Sequence, residues 1–207
     1  MQSDTSPLLA QRQERTWAAI HDAAASATID RGPHEVTVAQ IAEAAGISPR
    51  TFFNYFDSKE DAIVGVRAPR LTDETLARLR ESTDLRPLVR VSRLVRDVSQ
   101  STIGPGVDLE RRRAIARSHP HLQARLTQVF SASRQLVIAR MVDDVDRPWP
   151  GIDGLPSDPE ESRALILLAA SVVTHAWMTD LDQFTSDPDG ALGRAVAVFR
   201  KVTSTAV

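Results

Sequence analysis

Apolar residues recur along most of the chain at steps of three and four, the spacing that places side chains on one face of a helix. In the segment 11–31, Trp17, Ile20, Ala24 and Ala27 keep this spacing. Strand-like runs of alternating β-branched and polar residues are absent from the sequence. The pattern predicts an all-α protein. Its longer helices are expected at residues 11–31, 72–81, 85–101, 108–118, 120–146, 159–181 and 188–202, with loops at 104–106 and 147–158.

Two short helices are predicted just after the first long one, from residues that typically begin and end helices. Thr37 followed by Gln40 fits a capping box, in which each residue binds the backbone of the other. Gly46 ends that helix. Ser48 then caps a second helix that Pro49 opens, since proline suits the first helical position. This second helix is expected to end near residue 56.

The second short helix has residue types suited to the major groove of DNA. Phe52 and Phe56 are four residues apart and anchor it inward, which leaves polar side chains facing outward. Arginine can bind guanine with two hydrogen bonds, threonine can contact base edges, and hydroxyl or lysine groups can reach phosphates. The predicted DNA contacts are Thr37, Ser48, Pro49, Arg50, Thr51, Phe53, Asn54, Tyr55 and Lys59.

Residues 37–61, TVAQIAEAAGISPRTFFNYFDSKED, resemble the DNA-binding domain of the TetR family of regulators. The resemblance implies an N-terminal three-helix domain with a helix-turn-helix over residues 1–65 and a C-terminal helical bundle for ligand binding and dimerisation over residues 66–207. It also implies a repressor that leaves a palindromic operator when a small molecule binds. Phe53 departs from the tyrosine frequent in the family, so its contact with DNA is expected to be apolar.

Charge does not by itself favour nucleic acid. The net charge of the chain is −2, and residues 1–65 contain five basic and nine acidic residues. Backbone N–H groups, helix N-termini and hydroxyls also bind phosphate, so only the face that meets DNA must be favourable.

Other classes of protein are disfavoured by composition. The absence of cysteine excludes disulfides, thiolate metal sites and cysteine nucleophiles. The polar segment 1–7 does not resemble a secretory signal, and no uninterrupted apolar run approaches the ~18 residues of a membrane span. We therefore expect a cytoplasmic protein that does not associate with a membrane.

The segment 110–125, ERRRAIARSHPHLQAR, resembles a TetR subgroup whose C-terminal domain is described as acyl-CoA-like ligand-binding. This resemblance implies an effector with an acyl chain or another elongated apolar body, and an anionic head near the arginines of residues 111–117. These arginines also fit an ordinary solvated helix face. The predicted effector contacts, each of which also fits an ordinary core position, are Leu94, Val98, Phe130, Arg134, Val137, Thr174 and Trp177.

The last two predicted helices are the candidates for a homodimer interface, because each carries a broad apolar stripe. Two such helices from each subunit make a four-helix interface. A dimer is also expected because paired helix-turn-helix elements read the two halves of a palindrome. The stripes consist of Leu165, Leu168, Val172 and Trp177 on one helix, and Leu192, Val196, Phe199 and Val202 on the other.

Two other functions compete with a DNA-binding regulator. An enzyme would draw on His34, His119, His121 or His175, but no metal-binding histidine pair, phosphate-binding glycine loop or nucleophile motif accompanies them. We predict no catalytic residue, metal or cofactor. A helical adaptor that binds only protein explains the C-terminal stripes but not the groove helix.

Overall fold

The protein is described here by a computed structural model that covers residues 7–83, 85–143 and 152–205. Regular structure in these ranges is helical, apart from an isolated antiparallel bridge between Val66 and Ile103. The all-α prediction is confirmed. The helices are α1 (Pro7–Arg31), α2 (Val38–Ala44), α3 (Pro49–Phe52), α4 (Lys59–Val64), α5 (Asp73–Glu81), α6 (Pro87–Gln100), α7 (Leu109–Ser118), α8 (Pro120–Ile138, continued by a π-helical turn over Ala139–Asp143), α9 (Pro159–Thr179), α10 (Leu181–Ser186) and α11 (Pro188–Thr205).

Parts of three predictions lie outside the described residues: the N-terminal segment 1–6, the end of the expected 120–146 helix, and the loop residues 147–151. The remaining helix limits agree with the sequence pattern to within a few residues.

The helix-turn-helix is shorter than its sequence predicts. Helix α3 ends at Phe52 and not near residue 56. The reason is that Asn54 and Tyr55 donate their N–H groups to carbonyls three residues back, those of Thr51 and Phe52. Such bonds tighten the last turn of a helix and end it. The groove element is therefore one α-helical turn followed by a hydrogen-bonded turn.

Residues 62–70 do not form one continuous helix. Gly65 follows α4 with φ of 62°, a left-handed conformation that favours glycine, and ends the helix at Val64. Val66 then pairs with Ile103, and the Arg67 N–H donates to the carbonyl of Thr102. Coupling between effector and DNA thus cannot pass through one continuous helix across these residues.

One helix was not predicted from the sequence pattern. Asp180 ends α9 and caps α10, whose Leu181 and Phe184 are buried. The predicted pair of final helices corresponds to α9 and α11, with α10 between them in sequence.

The chain divides into two compact units. Unit 1 comprises Met1–Ala68 and Ser101–Val129, and unit 2 comprises Pro69–Gln100 and Phe130–Val207. Unit 1 therefore contains α7 and the start of α8 in addition to the helix-turn-helix. The prediction that residues 1–65 bind DNA and residues 66–207 bind the effector concerns function and not compactness. It stays a prediction.

The core of unit 2 forms where α6, α9 and α11 pack together. Val98 of α6, Ile166 and Val172 of α9, and Leu192 of α11 are fully buried there. By length and composition alone, α9 is apolar enough to cross a membrane. Of its most apolar stretch, 33% is buried.

Candidate nucleic-acid interface

The outer side of α3 and the turn after it is accessible within the described part of the chain. Pro49, Arg50, Phe53 and Asn54 are exposed, with Phe53 at 58%. The four side chains combine a guanidinium, an amide and an aromatic ring. Arg50 and Asn54 have the donors and acceptors that read base edges in the major groove.

Two hydroxyls at the start of α3 are joined to each other. The Ser48 Oγ accepts the Thr51 N–H at 3.0 Å and lies 2.8 Å from the Thr51 Oγ1. Because two hydroxyls have two hydrogens and their mutual bond uses one, the pair keeps one hydrogen for a phosphate oxygen.

The predicted capping box at the start of α2 is confirmed, with Thr37 and Gln40 each accepting the other's N–H. Tyr55 is half-buried.

Lys59 has a structural role that the sequence did not predict. Its Nζ donates to the carbonyl oxygens of Pro33 and Val36, both at 2.9 Å. An ammonium has three hydrogens, so at most one remains for phosphate. Lys59 therefore first fixes the loop between α1 and α2, and its contact with DNA stays a prediction.

Aromatic rings hold the groove element from behind. Phe52 is fully buried and Phe56 nearly so, as their spacing predicts. Trp17 of α1 lies 4.8 Å from Phe56 between ring centroids, and the Phe52 ring meets the Phe53 ring edge-on at 5.3 Å. The position of the exposed side of α3 thus depends on how α1 packs.

Two ion pairs connect the helix-turn-helix to the α7–α8 segment of unit 1. Asp61 of α4 accepts from Arg125 Nε at 2.6 Å and Nη2 at 3.1 Å. Arg111 of α7 donates to Asp22 at 2.7 Å and to Ser26 at 2.6 Å, both on α1. The structure therefore uses Arg111 inside unit 1, and the proposed effector contact of residues 111–117 does not include this guanidinium in the described conformation.

The α7–α8 segment also changes the charge balance that sequence analysis found unfavourable. Met1–Ala68 contains six basic and nine acidic residues, whereas Ser101–Val129 contains five basic and two acidic ones. Unit 1 as a whole is therefore neutral. The positive charge that offsets the acidic N-terminal segment comes from a part of the chain remote in sequence.

Burial shifts the pKa of two groups in unit 1. Desolvation lowers the pKa of His21 below the ordinary 6.5, although its bond to the Ala62 carbonyl and the charge of Asp22 oppose the shift. The His21 Nδ1–H donates to that carbonyl at 2.8 Å, and the arginines of α7 also disfavour the charged ring. Desolvation lowers the pKa of Arg112 to about 10.

The neutral His21 makes stability depend on pH. Below pH 6.5 the unfolded chain binds a proton at this residue before the folded chain does, so stability falls as the pH is lowered. The amide of His21→Gln can still donate to the Ala62 carbonyl but does not bind a proton. We expect this variant to reduce the slope of unfolding free energy against pH by up to ~1.4 kcal/mol per pH unit, the limit for one proton. Urea unfolding between pH 5 and 7.5 measures the slope. An unchanged slope in His21→Gln would contradict the assignment.

The seven predicted effector contacts fall into separate groups in unit 2. Leu94, Val98 and Val137 are buried in the core, while the rings of Phe130 and Trp177 meet at a centroid distance of 6.0 Å. Arg134 and Thr174 line an open pocket of about 420 Å³ together with Ala170, Ser171, His175 and Met178. The described residues do not bring all seven to one pocket.

The apolar stripes predicted for dimerisation are only partly exposed. Val172, Leu192 and Val196 belong to the core of unit 2, because the buried face of a helix follows the same periodicity as an interface. Val202 of the predicted stripe is exposed. The same helices also expose large apolar side chains outside the predicted stripes, Leu167 and Met178 on α9 and Val198 on α11.

Three of the histidines considered for an enzyme lie near one another. The ring centroids of His34 and His121 are 5.3 Å apart, and those of His119 and His121 are 6.2 Å apart. Within the described residues, no group of three histidine, aspartate or glutamate side chains is placed to hold a metal ion.

A short exposed helix, preceded by a capped helix and a glycine turn, is the arrangement of a helix-turn-helix DNA-binding domain. Comparison with known families agrees. Residues 20–63 match the family described as "Bacterial regulatory proteins, tetR family". The N-terminal segment of the chain is therefore a helix-turn-helix DNA-binding domain of the TetR type.

The wider comparisons add less. No curated protein matches the chain in sequence. A solved structure of the fatty acid degradation regulator FadR from Bacillus halodurans is similar over 87% of this chain and 92% of that chain, at 21% identity and a TM-score of 0.41. A likeness at this level does not carry an effector from one protein to the other.

Proposed function

We propose that the protein is a cytoplasmic homodimeric repressor that releases a palindromic operator when an elongated apolar or acyl-CoA-like effector binds. The observation that carries the operator part is the exposed edge of Arg50 and Asn54, on a helix and a following turn that Phe52 and Phe56 anchor. A helix held from behind by packed rings keeps its outer side chains in a fixed position, as base recognition requires.

Substitution of Arg50 tests this proposal. If its guanidinium binds a guanine, Arg50→Ala should weaken operator binding by about 10- to 100-fold, since such a contact contributes ~1–3 kcal/mol of base discrimination. The operator is first recovered by sequencing genomic fragments bound by the full chain. Affinity for that fragment and for a scrambled one is then measured by fluorescence anisotropy over a range of salt concentrations.

Arg80→Ala is the matched control, because Arg80 is an exposed arginine in unit 2. It should leave operator affinity unchanged. Parent affinity should also fall steeply as salt rises, because phosphate contacts release counterions. If no fragment is enriched, the operator proposal fails and a protein-binding adaptor takes its place. If Arg50→Ala binds the recovered fragment like the parent, the assignment of Arg50 to a base contact fails.

The homodimer is supported by the apolar side chains that α9 and α11 leave exposed, Leu167, Met178, Val198 and Val202. Exposed apolar groups on two neighbouring helices suit a four-helix interface. Val202→Glu should then shift the chain from dimer to monomer in sedimentation velocity experiments. A monomeric parent chain would contradict the proposal.

The effector class is supported by the resemblance of residues 110–125 and by the open pocket that Arg134 and Thr174 line in unit 2. A ligand that binds one state better lowers operator affinity by linkage, typically ~1–3 kcal/mol. Titration of the operator complex with a long-chain acyl-CoA measures this coupling. Unchanged operator affinity at saturating ligand would exclude this effector class and leave operator binding unaffected.

A further inference from the structure

A second pocket in unit 2 has a strongly cationic lining. It has a volume of about 140 Å³ and lies among α5, α6 and the start of α11. Its uncharged lining consists of threonine, serine and leucine side chains. The charged lining is Arg78, Arg90, Arg93, Arg96, Asp97 and Asp189, which gives a net charge of +2.

One of these arginines, Arg90, has a buried donor without an acceptor among the described residues. Arg90 is 1% exposed, and its Nη1 and Nη2 donate to the carbonyls of Asp153 and Leu79 at 2.6 and 3.0 Å. Its Nε has no acceptor. The Nε of Arg93 forms no hydrogen bond, but it lies 3.0 Å from the Asp189 Oδ1 in an ion pair. A buried charged donor left without an acceptor is costly, so Arg90 favours an anion in the pocket.

The two aspartates of the pocket differ in how firmly they are held. Asp97 accepts two hydrogen bonds from Arg96, at 2.8 and 2.9 Å, and a third from Arg78 at 3.2 Å. Asp189 is more exposed and has one oxygen shared between Arg96, at 2.7 Å, and Arg93, at 3.0 Å. The Asp189 carboxylate thus lies where the arginines favour negative charge. An anion of higher charge can bind beside it or displace it.

We propose that this pocket binds a phosphate group, as inorganic phosphate or as the phosphomonoester of a small molecule, through Arg90, Arg93 and Arg96. A phosphate group carries about −1.5 to −2 charges at pH 7, which balances the lining. Guanidinium groups bind its oxygens in pairs and with charge assistance. The pocket is smaller than the ~300–1,000 Å³ that drug-sized ligands occupy, so it fits an anionic group and not an acyl chain. The site is separate from the open pocket proposed for the apolar effector.

Isothermal titration of the full chain at pH 7.5 and constant ionic strength tests the proposal, with inorganic phosphate and glycerol phosphate as probes and chloride as the control. We expect saturable binding of one phosphate per chain and none of chloride. Arg93→Gln should weaken binding at least 10-fold, and Arg93→Lys should do so less, since it keeps the charge but loses the fork. Asp189→Asn should strengthen binding several-fold because it removes a competing carboxylate.

Arg163→Gln is the matched control for charge, because Arg163 pairs with Asp143 and does not line this pocket. Equal weakening in Arg93→Gln and Arg163→Gln, or phosphate binding no stronger than that of chloride, overturns the proposal. If Arg93→Gln does not fold, phosphate binding by Asp189→Asn tests the proposal instead. Unchanged or weaker phosphate binding in that variant overturns the proposal. A tenfold preference for glycerol phosphate supports a phosphomonoester, and equal affinities support inorganic phosphate. The titration contains no DNA, so its outcome does not depend on the operator proposal.

Discussion

Gly104→Ala is expected to destabilise unit 1 by ~3 kcal/mol or more, at the upper end of what overpacking usually costs. A methyl group on Gly104 would overlap three ring carbons of Trp17. An indole ring cannot move aside as the end of a flexible chain does, and this one is buried against Phe56 and His21. Because Phe56 also anchors the groove element, the variant that still folds should bind DNA more weakly. Urea unfolding and operator affinity measure the two effects.

A double-mutant cycle shows whether Trp17 is the cause. In a Trp17→Leu background, where the ring is absent, Gly104→Ala should cost much less than in the parent chain. Gly193→Ala is the matched control, since Gly193 lies within α11 and no atom lies within 4 Å of the added methyl group. It should be neutral or stabilise by up to ~1 kcal/mol, because alanine favours helix. Equal costs of Gly104→Ala in both backgrounds would contradict the steric explanation.

The parts of the molecule that sequence predicts well are those whose signals are local. Thr37 with Gln40, and Ser48 with Pro49, mark helix starts within four residues, and the structure places α2 and α3 directly after them. The four-residue spacing of Phe52 and Phe56 is enough to predict that both side chains point inward, and both are buried. The end of α3 was less predictable, because hydrogen bonds to residues three back, rather than a glycine or proline, end the helix there.

The parts that sequence predicts poorly depend on contacts between distant segments. Helical periodicity places Leu94, Val98 and Val137 on inward faces, but it does not tell whether they meet other side chains or a ligand, and here they lie in the core. The role of Lys59 depends on two carbonyls more than 20 residues earlier. Arg90 has no local signal at all, because an arginine near the start of an amphipathic helix is usually solvated.

Arg125→Ala is the second substitution for which we expect a large effect, a loss of ~2–4 kcal/mol of stability. Asp61 is 4% exposed, and without Arg125 its carboxylate keeps, among the described residues, the hydroxyl of Ser58 at 2.8 Å and no cation. A buried charge whose partner is removed typically costs ~3–5 kcal/mol. The side chain of Arg125 is 36% exposed, so solvent screens part of that penalty. The hydrogen bonds to Asp61 also raise the pKa of Arg125, so its guanidinium stays charged.

Arg111→Ala is the control for this pair, because it removes an arginine from the same unit whose partner, Asp22, is 71% exposed. Exposed pairs contribute ~0–1 kcal/mol, so its loss should be small. Arg125→Lys keeps the charge but loses the two-point bond and should fall between the two. The double variant Asp61→Asn/Arg125→Ala should recover part of the stability, because it removes the uncompensated charge. Urea unfolding at pH 7.5 measures all four, and an Arg125→Ala variant as stable as Arg111→Ala would show that the ion pair does not hold α4 to α8.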